Sequence, residues 1–340
     1  MSEIEGTVSS HLTRSVLEAA VQIGVPDREI AAIAGLGREL LGDDFLRIPS
    51  TALLRLWELI CAAGGVGVGV RVAELAPPGR LHIWDYLILG ASNLAEGFTD
   101  AARFAAVMAD PAATLVVTAD DHQLIAEFRG RPYGATVAAV VNEFSLTVLL
   151  HRARAIAGHA ADPIRVDFTH PAPPDPGYLI ETFGTGNIHF DQDRTALVLP
   201  IAERTRDGRP YDPELRQILL HYAKLIIDTA RPAPTWEDTL RAEISAALIE
   251  RQSAEIEVVA QRLAVSPRTL QRRLADHGTS WRRELEAVRC QQATRLLRDT
   301  RLPVQSIAGR VGYRDQRALR RAFHRWTGQT PDAYRRCARN

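Results

Sequence analysis

A short pattern occurs twice in the C-terminal third of the chain, and each copy ends in an arginine-rich stretch. The two copies span residues 258–274 and 304–323. Each predicts a short helix with alanine on its packed side, a tight turn, and a second helix that buries Leu or Phe at spacings of three and four. Helix-turn-helix units have this layout, because one helix braces the unit while the other enters the major groove of DNA. Two such units in one chain can contact two successive stretches of groove without a partner subunit.

The charge distribution divides the chain into a basic C-terminal part and an acidic remainder. The protein carries 41 basic and 41 acidic side chains in 340 residues. Residues 251–340 hold 20 arginines, no lysine and 8 acidic residues, a balance of +12, so the remainder has a balance of −12. This asymmetry favours a nucleic-acid-binding module joined to an acidic domain. The alternative, that the arginines only solvate helix surfaces, is disfavoured because the excess coincides with the repeated pattern.

The bulk properties predict a cytoplasmic protein of two globular domains. The hydrophobic content is 46%, and no apolar run is long and charge-free enough to span a bilayer, so we expect no membrane partner. The acidic start lacks the basic and apolar regions of a secretion signal. Cys61, Cys290 and Cys337 lie far apart, which predicts neither disulfides nor a cysteine-based metal site. We expect no cofactor.

The first two thirds of the chain predict an α+β domain with a small, mostly antiparallel sheet. A β-hairpin is expected around Asp120-Asp121-His122, since two short apolar strands flank this polar turn. Ser50 is predicted to cap a helix. Further helices are expected at 12–24, 26–35, 83–108, 136–157, 178–183 and 213–230, and further strands at 164–168, 188–190 and 196–199.

A proline-rich segment marks the predicted domain boundary. Arg231-Pro232-Ala233-Pro234 cannot continue a helix and predicts a stiff linker. Thr235 is then expected to cap a new helix, with Asp238 completing a capping box. The predicted organisation is an α+β domain at 1–230 for effector sensing or dimerisation, a linker at 231–235, and an all-α DNA-binding domain with two helix-turn-helix units at 236–340.

The C-terminal segment resembles the DNA-binding domain of the AraC/XylS family of bacterial transcription regulators over roughly residues 236–336. The carriers are 266–274, the connecting helix at 286–293, Ile307-Ala308, Gly312-Tyr313, 322–328, Thr330-Pro331 and Tyr334-Arg335. The chain departs from the family at Arg317, Leu319 and Arg320, where relatives often have Ser, Phe and Ser, and at Ala264, where Gly is usual. The resemblance implies promoter DNA and RNA polymerase as partners and no catalytic activity.

The outward faces of the two recognition helices predict the DNA contacts. Leu270 and Leu274 lie four residues apart and should pack inward, as should Leu319, Phe323 and Trp326. Arginine can donate two hydrogen bonds to guanine and glutamine can pair with adenine, whereas other arginines hold phosphates. The predicted base contacts include Arg268, Gln271 and Arg272 in the first unit and Gln316, Arg317, Arg320 and Arg321 in the second. The predicted phosphate contacts are Arg273, Arg314 and Arg325, and Ser266 and Thr269 complete the predicted DNA-binding set.

The N-terminal domain resembles the sensing domain of ornithine- and arginine-responsive regulators, and not the cupin barrel of the arabinose sensor. The carriers are Arg47-Ile48-Pro49, Phe183-Gly184, His189-Phe190-Asp191 and Asp212-Pro213-Glu214-Leu215. Four aromatic residues are candidates for an apolar ligand pocket, with plain core as the alternative. They are Trp57, Trp84, Tyr86 and Phe144.

Other motifs predict no chemistry. The glycine-rich stretch 64–70 follows a helix and lacks the Lys-Ser/Thr ending of a phosphate loop, so it is interpreted as a turn. Asp191-Gln192-Asp193 is too short for a calcium loop, and the histidines show no metal-ligand spacing, so no metal site is predicted.

The sequence therefore predicts a DNA-binding transcription regulator, expected to act as an activator that responds to a small-molecule effector, with a homodimer through the N-terminal domain as a further option. Two alternatives stay open. The N-terminal domain could serve dimerisation alone in a ligand-independent regulator, or the chain could be an enzyme with an appended DNA-binding domain. No catalytic constellation supports the enzyme.

Overall fold

The computed structural model describes residues 4–33, 35–36, 41–157, 161–201, 211–234, 236–250, 254–263 and 265–337. The chain divides into two compact units, Met1–Ala233 and Pro234–Asn340. Thr235 and Ala264, the predicted cap and turn residue, lie outside the described residues.

Nine α-helices are described in the N-terminal unit. They are α1 Ser10–Ile23, α2 Asp27–Ala31, α3 Ser50–Gly64, α4 Val68–Glu74, α5 Ile83–Leu89, α6 Leu94–Arg103, α7 Ala135–Ala157, α8 Gly177–Phe183 and α9 Pro213–Thr229. The helix predicted at 12–24 is confirmed as α1. The Ser9 side chain accepts a hydrogen bond from Leu12 N at its start, and Gly24 adopts the left-handed conformation at its end. The pattern predicted as one helical stretch at 83–108 is broken into α5, α6 and a short 3₁₀ turn.

A five-stranded sheet in the order β3-β4-β7-β5-β6 forms the centre of the N-terminal unit. Its strands are β3 Thr114–Ala119, β4 Gln123–Arg129, β5 Arg165–Asp167, β6 Ile188–His189 and β7 Thr195–Pro200. All pairs are antiparallel except β5 with β6, and β3 and β4 form the predicted hairpin. The α+β class and the mostly antiparallel sheet are thereby confirmed.

A second sheet, which the sequence analysis did not predict, joins the start and the end of this unit. Strand β2 (Leu46–Pro49) pairs antiparallel with β1 (Thr7–Ser9) and parallel with β8 (Arg231–Pro232). The buried Arg47 stabilises this sheet, because its guanidinium donates hydrogen bonds to the backbone oxygens of Thr7, Ala106 and Ala109 at 2.6–2.8 Å.

The predicted linker at 231–235 is therefore wrong in its first half. Arg231 N donates to Phe45 O at 3.0 Å and Ala233 N donates to Arg47 O at 2.6 Å, so this segment is part of the N-terminal unit. Proline lacks a donor, but it is tolerated at a sheet edge, and Pro232 lies on such an edge.

Ser50 also differs from its predicted role. It is the first residue of α3 rather than the cap, and its hydroxyl donates to Asp110 Oδ2 at 2.5 Å. The buried carboxylate outcompetes the helix end for this hydroxyl.

The glycine-rich stretch forms the predicted turn and allows a close helix contact. Gly65 and Gly67 have positive φ angles of 68° and 70°. A Cβ at Gly69 would lie 2.4 Å from Val140 O, so only glycine lets α4 approach α7 this closely. Among the described residues, no single helix has the length and apolar character of a membrane span, although the bent pair α3 and α4 meets those criteria jointly.

The C-terminal unit is helical throughout the part that the structure describes. Its helices are α10 Trp236–Ile249, α11 Ile256–Arg262, α12 Pro267–Asp276, α13 Trp281–Asp299, α14 Val304–Arg310, α15 Gln316–Thr327 and α16 Pro331–Cys337. Two separate cores form around the ends of α13. Val288 belongs to the core of α10 to α12, whereas Ala293 and Leu297 belong to the core of α14 and α15. The connecting helix thus fixes one recognition helix relative to the other.

Candidate nucleic-acid interface

The first recognition helix, α12, begins at a capped turn and exposes its polar face. Ser266 Oγ accepts from Thr269 N at 3.1 Å and contacts Thr269 Oγ1 at 2.8 Å. Leu270 and Leu274 are buried, as predicted. The exposed predicted contacts of this unit are Ser266, Arg268, Gln271, Arg272 and Arg273, and Thr269 is half-buried.

The second recognition helix, α15, repeats this design. Asp315 caps it by accepting from Ala318 N at 2.8 Å, while Leu319 and Phe323 are buried. Trp326 packs against the same core and is only partly buried. The exposed predicted contacts of this unit are Arg314, Gln316, Arg317, Arg320, Arg321 and Arg325.

An equivalent backbone hydrogen bond closes the turn in each of the two units. Val265 N donates to Ala260 O at 3.0 Å, and Tyr313 N donates to Ala308 O at 2.8 Å in the equivalent place. From these alanines to the following caps, Ser266 and Asp315, the second turn is one residue longer than the first. Gly312 has a φ angle of 75°, and a Cβ there would lie 2.9 Å from the Leu248 side chain.

Two of the predicted DNA contacts already have acidic partners. Arg320 Nη2 lies 2.7 Å from Asp332 Oδ2, and Arg325 Nη2 lies 3.0 Å from Glu286 Oε1. Partial burial opposes ionisation of Glu286, but the charges of Arg325 and Arg282 prevail and lower its pKa. Neither arginine is therefore a free cation in the absence of DNA, which spacing along the chain did not reveal.

The remaining predicted arginines are not held by an acidic partner within ion-pair distance. Within the described part of the chain, none of the six forms an ion pair. They are Arg268, Arg272, Arg273, Arg314, Arg317 and Arg321. Exposed guanidinium groups on two recognition helices form a surface suited to a polyanion.

The structure adds cationic residues that the sequence analysis missed. Arg282 and Arg289 of α13 line a groove with Arg321 and Arg325 of α15. The Arg289 guanidinium lies 4.9 Å from the centre of the Tyr313 ring. His324 is exposed three residues after Arg321, a helical spacing that could have identified it. The α13 arginines gave no such signal, because tertiary packing alone brings them to α15.

The four aromatic pocket candidates are only partly brought together. Trp84 and Phe144 line an apolar cavity of about 50 Å³, with Met108 and Phe128. Trp57 packs beside Phe144, with ring centres 5.1 Å apart, but does not line the cavity. Tyr86 is 48% exposed and does not line this cavity. Pockets for drug-sized ligands measure roughly 300–1,000 Å³, so this cavity is too small in the present conformation.

A larger and polar pocket opens between α4, α7 and α8. It measures about 690 Å³ and includes the charged side chains of Arg71, Glu74, Arg154, Asp175 and Glu181. Arg154 is held by Asp162 at 2.8 Å and by the Thr182 carbonyl oxygen at 2.9 Å. Three carboxylates then face one further guanidinium, that of Arg71, so negative charge exceeds positive charge in this pocket. Residues of three helices form this pocket, so no local motif predicted it.

The buried carboxyl group of Glu143 is hydrogen-bonded to a residue that lines this pocket. Tyr178, which lines the pocket, donates to Glu143 Oε1 at 2.6 Å. Burial raises the pKa of Glu143. Burial lowers the pKa of His170, whose Nε2 lies 3.8 Å from the same carboxylate, to about 4. The Glu143 carboxyl group therefore loses its proton at a higher pH than an exposed glutamate does, and the His170 imidazole is neutral at neutral pH.

Comparison with known proteins agrees with both units. A family model described as the arabinose-binding domain of AraC transcription regulator, N-terminal, matches residues 24–206, and a helix-turn-helix domain model matches residues 259–337. The ornithine utilization regulator of Pseudomonas aeruginosa is 26% identical over 255 residues, 74% of each chain. An uncharacterised HTH-type transcriptional regulator of Mycobacterium tuberculosis is 27% identical over 96% of this chain and 95% of its own.

A solved structure, that of the transcriptional regulator CdpR from Pseudomonas aeruginosa, is 23% identical, covers 95% of this chain and 97% of its own, and has a TM-score of 0.47. The first family model alone matches more than half of the chain. The resemblance inferred from the sequence is thereby confirmed, and the protein belongs to the AraC family of DNA-binding transcription regulators.

Proposed function

We propose that this protein is an effector-responsive regulator that reads two successive major-groove segments of promoter DNA with a single chain. The observation that carries the proposal is the pair of capped recognition helices, α12 and α15, whose cores meet on the one connecting helix α13. A rigid helix that belongs to both cores holds the two polar faces at a fixed spacing, and promoter DNA presents grooves at a fixed helical repeat. Membership of the AraC family supports RNA polymerase as a further partner and the cytoplasm as the place of action.

The free arginines and glutamines divide into two kinds of contact. Arg268 and Arg272 on α12, and Arg317 and Arg321 on α15, donate to guanine edges, while Gln271 and Gln316 pair with adenine. Arg273, next to the buried Leu274, and Arg314, in the turn before α15, hold phosphates. Arg320 joins the base contacts only after it leaves Asp332, and Arg325 grips phosphate in competition with Glu286.

Selection of bound sequences from random duplex DNA with the full chain tests this function. We expect a bipartite motif whose affinity falls steeply with salt, because phosphate contacts release counterions. A protein that enriches no motif, or that binds with no salt dependence, would contradict the assignment.

The acidic pocket between α4, α7 and α8 supports a small cationic effector. Glu74, Asp175 and Glu181 contribute negative charge, while Arg154 is held by Asp162. Ornithine, the compound named in the Pseudomonas relative, is a cation of this kind and is the first compound to test. Ornithine should raise the melting temperature of the wild type, and Glu181→Gln should reduce that shift while the control Glu29→Gln, on α2 and outside this pocket, does not. An equal shift in all three proteins would remove this pocket from the proposal.

An exposed apolar face on α9 supports a homodimer through the N-terminal unit. Leu215, Ile218 and Leu225 are 48%, 64% and 43% exposed, and Tyr222 lies between them in half-buried position. Their spacing of three, four and three residues is that of a coiled-coil seam. Ile218→Glu should yield monomers in analytical ultracentrifugation, whereas the neighbouring exposed control Gln217→Glu should not. This homodimer alone would also suit the ligand-independent alternative, and the acidic pocket is what favours an effector.

A further inference from the structure

Three metal-ligating side chains from separate segments meet on the N-terminal unit. His11 lies on α1, Asp44 precedes β2, and His82 directly precedes α5. His11 Nε2 is 3.0 Å from Asp44 Oδ1, and His82 Nε2 is 3.9 Å from Asp44 Oδ2. One ligand atom from each residue lies within 4.8 Å of the others. The cluster has no part in the DNA surface, the acidic pocket or the apolar cavity, and its ligands are too far apart in sequence for a spacing motif.

The cluster carries features that packing alone does not explain. His82 has a φ angle of 57°, a conformation that is uncommon for any residue other than glycine and costs energy to maintain. Its Nδ1 is buried and has no hydrogen-bond partner among the described residues. The His82 ring stacks on that of His11, with centres 4.0 Å apart and planes 7° apart. Strained backbone and an unpaired buried nitrogen are typical of functional sites.

We propose that His11, Asp44 and His82 form a binding site for one divalent transition-metal ion of the zinc class. Two imidazole nitrogens and one carboxylate oxygen, with a fourth position left to water, are a common ligand set for such ions. Ligands about 2.0–2.2 Å from a tetrahedral ion lie roughly 3.3–3.6 Å from one another. The present separations of 3.0 and 3.9 Å bracket that value. The side chain of Asp44 is 42% exposed, which gives the ion a path from solvent.

Two adjustments accompany binding. A metal ion lies near the plane of each imidazole that ligates it, so at least one of the stacked rings must turn. Arg14 Nη2 lies 2.9 Å from His11 Nδ1 and donates to it, which places the ring proton on Nε2. An ion on Nε2 displaces that proton, and Nδ1 then carries a hydrogen that faces the Arg14 donor. Arg14 therefore competes with the ion and must leave when the ion binds.

The site adjoins the strand that ends the N-terminal unit. Asp43, next to Asp44, pairs with Arg231, and Phe45 O accepts from Arg231 N at 3.0 Å. The His82 ring lies 6.0 Å from the ring of Tyr222 on α9. An ion that immobilises Asp44 thus stabilises the attachment of β8, and this adds to the thermal stability of the unit.

Cobalt(II) titration of the metal-free, untagged full chain tests the proposal directly, because Co²⁺ held by nitrogen and oxygen ligands absorbs in the visible range. We expect one ion per chain, a visible band and a higher melting temperature. Zinc should abolish the band by displacing cobalt, while the melting temperature stays high. Asp44→Asn and His82→Asn each remove a ligand. Loss of an outer-shell partner costs about 10–100-fold in affinity, so loss of a ligand should cost roughly 100-fold or more.

Matched controls come from the exposed hairpin turn between β3 and β4. Asp121→Asn and His122→Ala change the same residue types and should leave the affinity unchanged. Arg14→Gln should tighten binding, because it removes the competing donor, and a purely structural role of the cluster gives no such gain.

An absent visible band in the wild type would overturn the proposal, whether or not the variants fold. So would a band that survives in both Asp44→Asn and His82→Asn, or weaker binding in a folded Arg14→Gln protein. DNA binding by the C-terminal unit does not depend on any of these outcomes.

Discussion

At the scale of single residues, the acidic neighbours of each arginine decide what it can do on DNA. Arg317 and Arg321 project from α15 without an ion pair in the described structure, whereas Arg320 and Arg325 are held by Asp332 and Glu286. Exposed ion pairs contribute only about 0–1 kcal/mol, so a phosphate or a base edge can displace these carboxylates. The arginines of one helix therefore differ in the free energy that DNA binding must supply to each.

Removing the competitor of Arg320 should strengthen DNA binding. Asp332→Asn keeps the shape of the side chain and releases Arg320, so we expect a gain of up to about 1 kcal/mol, roughly fivefold in the dissociation constant. Fluorescence anisotropy with a selected duplex measures it. Asp299→Asn, at the exposed end of α13, removes the same charge away from α15. An equal gain in both variants would reduce the effect to net charge.

The central arginines of the two helices should specify different bases. Arg272→Ala and Arg321→Ala should each relax the preference at one base position, in different halves of the site, by about 1–3 kcal/mol. Selection of bound sequences with each variant measures this, with the exposed Arg295→Ala as control. If both variants weaken all sequences uniformly, these arginines hold phosphates and the base assignment is wrong.

His170 should make the N-terminal unit sensitive to acid. Burial lowers its pKa from 6.5 to about 4, so between these values the unfolded chain binds a proton that the folded chain excludes. The free energy of unfolding should therefore fall as the pH drops from 6.5 towards 4. His11 acts in the same direction, whereas the raised pKa of Glu143 acts in the opposite one.

His170→Phe isolates the contribution of this one imidazole. The ring contacts those of Phe168 and Phe190, with centres 4.8 and 5.8 Å away, so phenylalanine fits the site chemically. Urea unfolding across this pH window should show a flatter dependence in the variant. Parallel curves for the two proteins would mean that His170 titrates normally.

At the scale of helices and strands, local patterns predicted what local physics determines. The β3–β4 hairpin and helices such as α1, α7 and α9 follow from periodicity and turn residues within a few positions. The sheet of β1, β2 and β8 was missed, because strands of two to four residues carry little pattern and β2 pairs with β8 across most of the unit. Tertiary packing likewise decides that Arg320 pairs with Asp332. It also decides that Tyr86 does not line the cavity of Trp84 and Phe144. Spacing along the chain contains no information about either arrangement.

The turn of the second unit should require glycine. Gly312→Ala would force a side chain onto a φ angle of 75° and bring its Cβ to 2.9 Å from Leu248, for a cost of about 1–3 kcal/mol. Denaturant unfolding of the full chain measures the change in stability. Gly309→Ala is the matched control, because it lies in α14 with no atom within 4 Å of the added Cβ and should be neutral or stabilising. Equal stability of the two variants would contradict this account of the turn.

At the scale of the whole molecule, the excess of arginine lies inside the second folded unit, from residue 251 onward, whereas the first helix of that unit, α10, is acidic. The acidic N-terminal unit holds the five-stranded sheet and the polar pocket, and the basic C-terminal unit holds two cores around one connecting helix. Sequence composition predicted two domains, because each unit buries its own hydrophobic core and carries its own excess of surface charge. The residue at which the first unit ends was not predictable from the sequence, because β8 extends that unit through a non-local strand pair with β2.

Hydroxyl-radical footprinting of the segment 234–340 on a selected duplex tests the central claim most directly. If one chain reads two grooves, a monomeric segment should protect two tracts on one face of the DNA, about 10 base pairs apart. Arg272→Ala should weaken protection of one tract and Arg321→Ala that of the other. A single protected tract, or a second tract that appears only when two segments bind, would contradict the account.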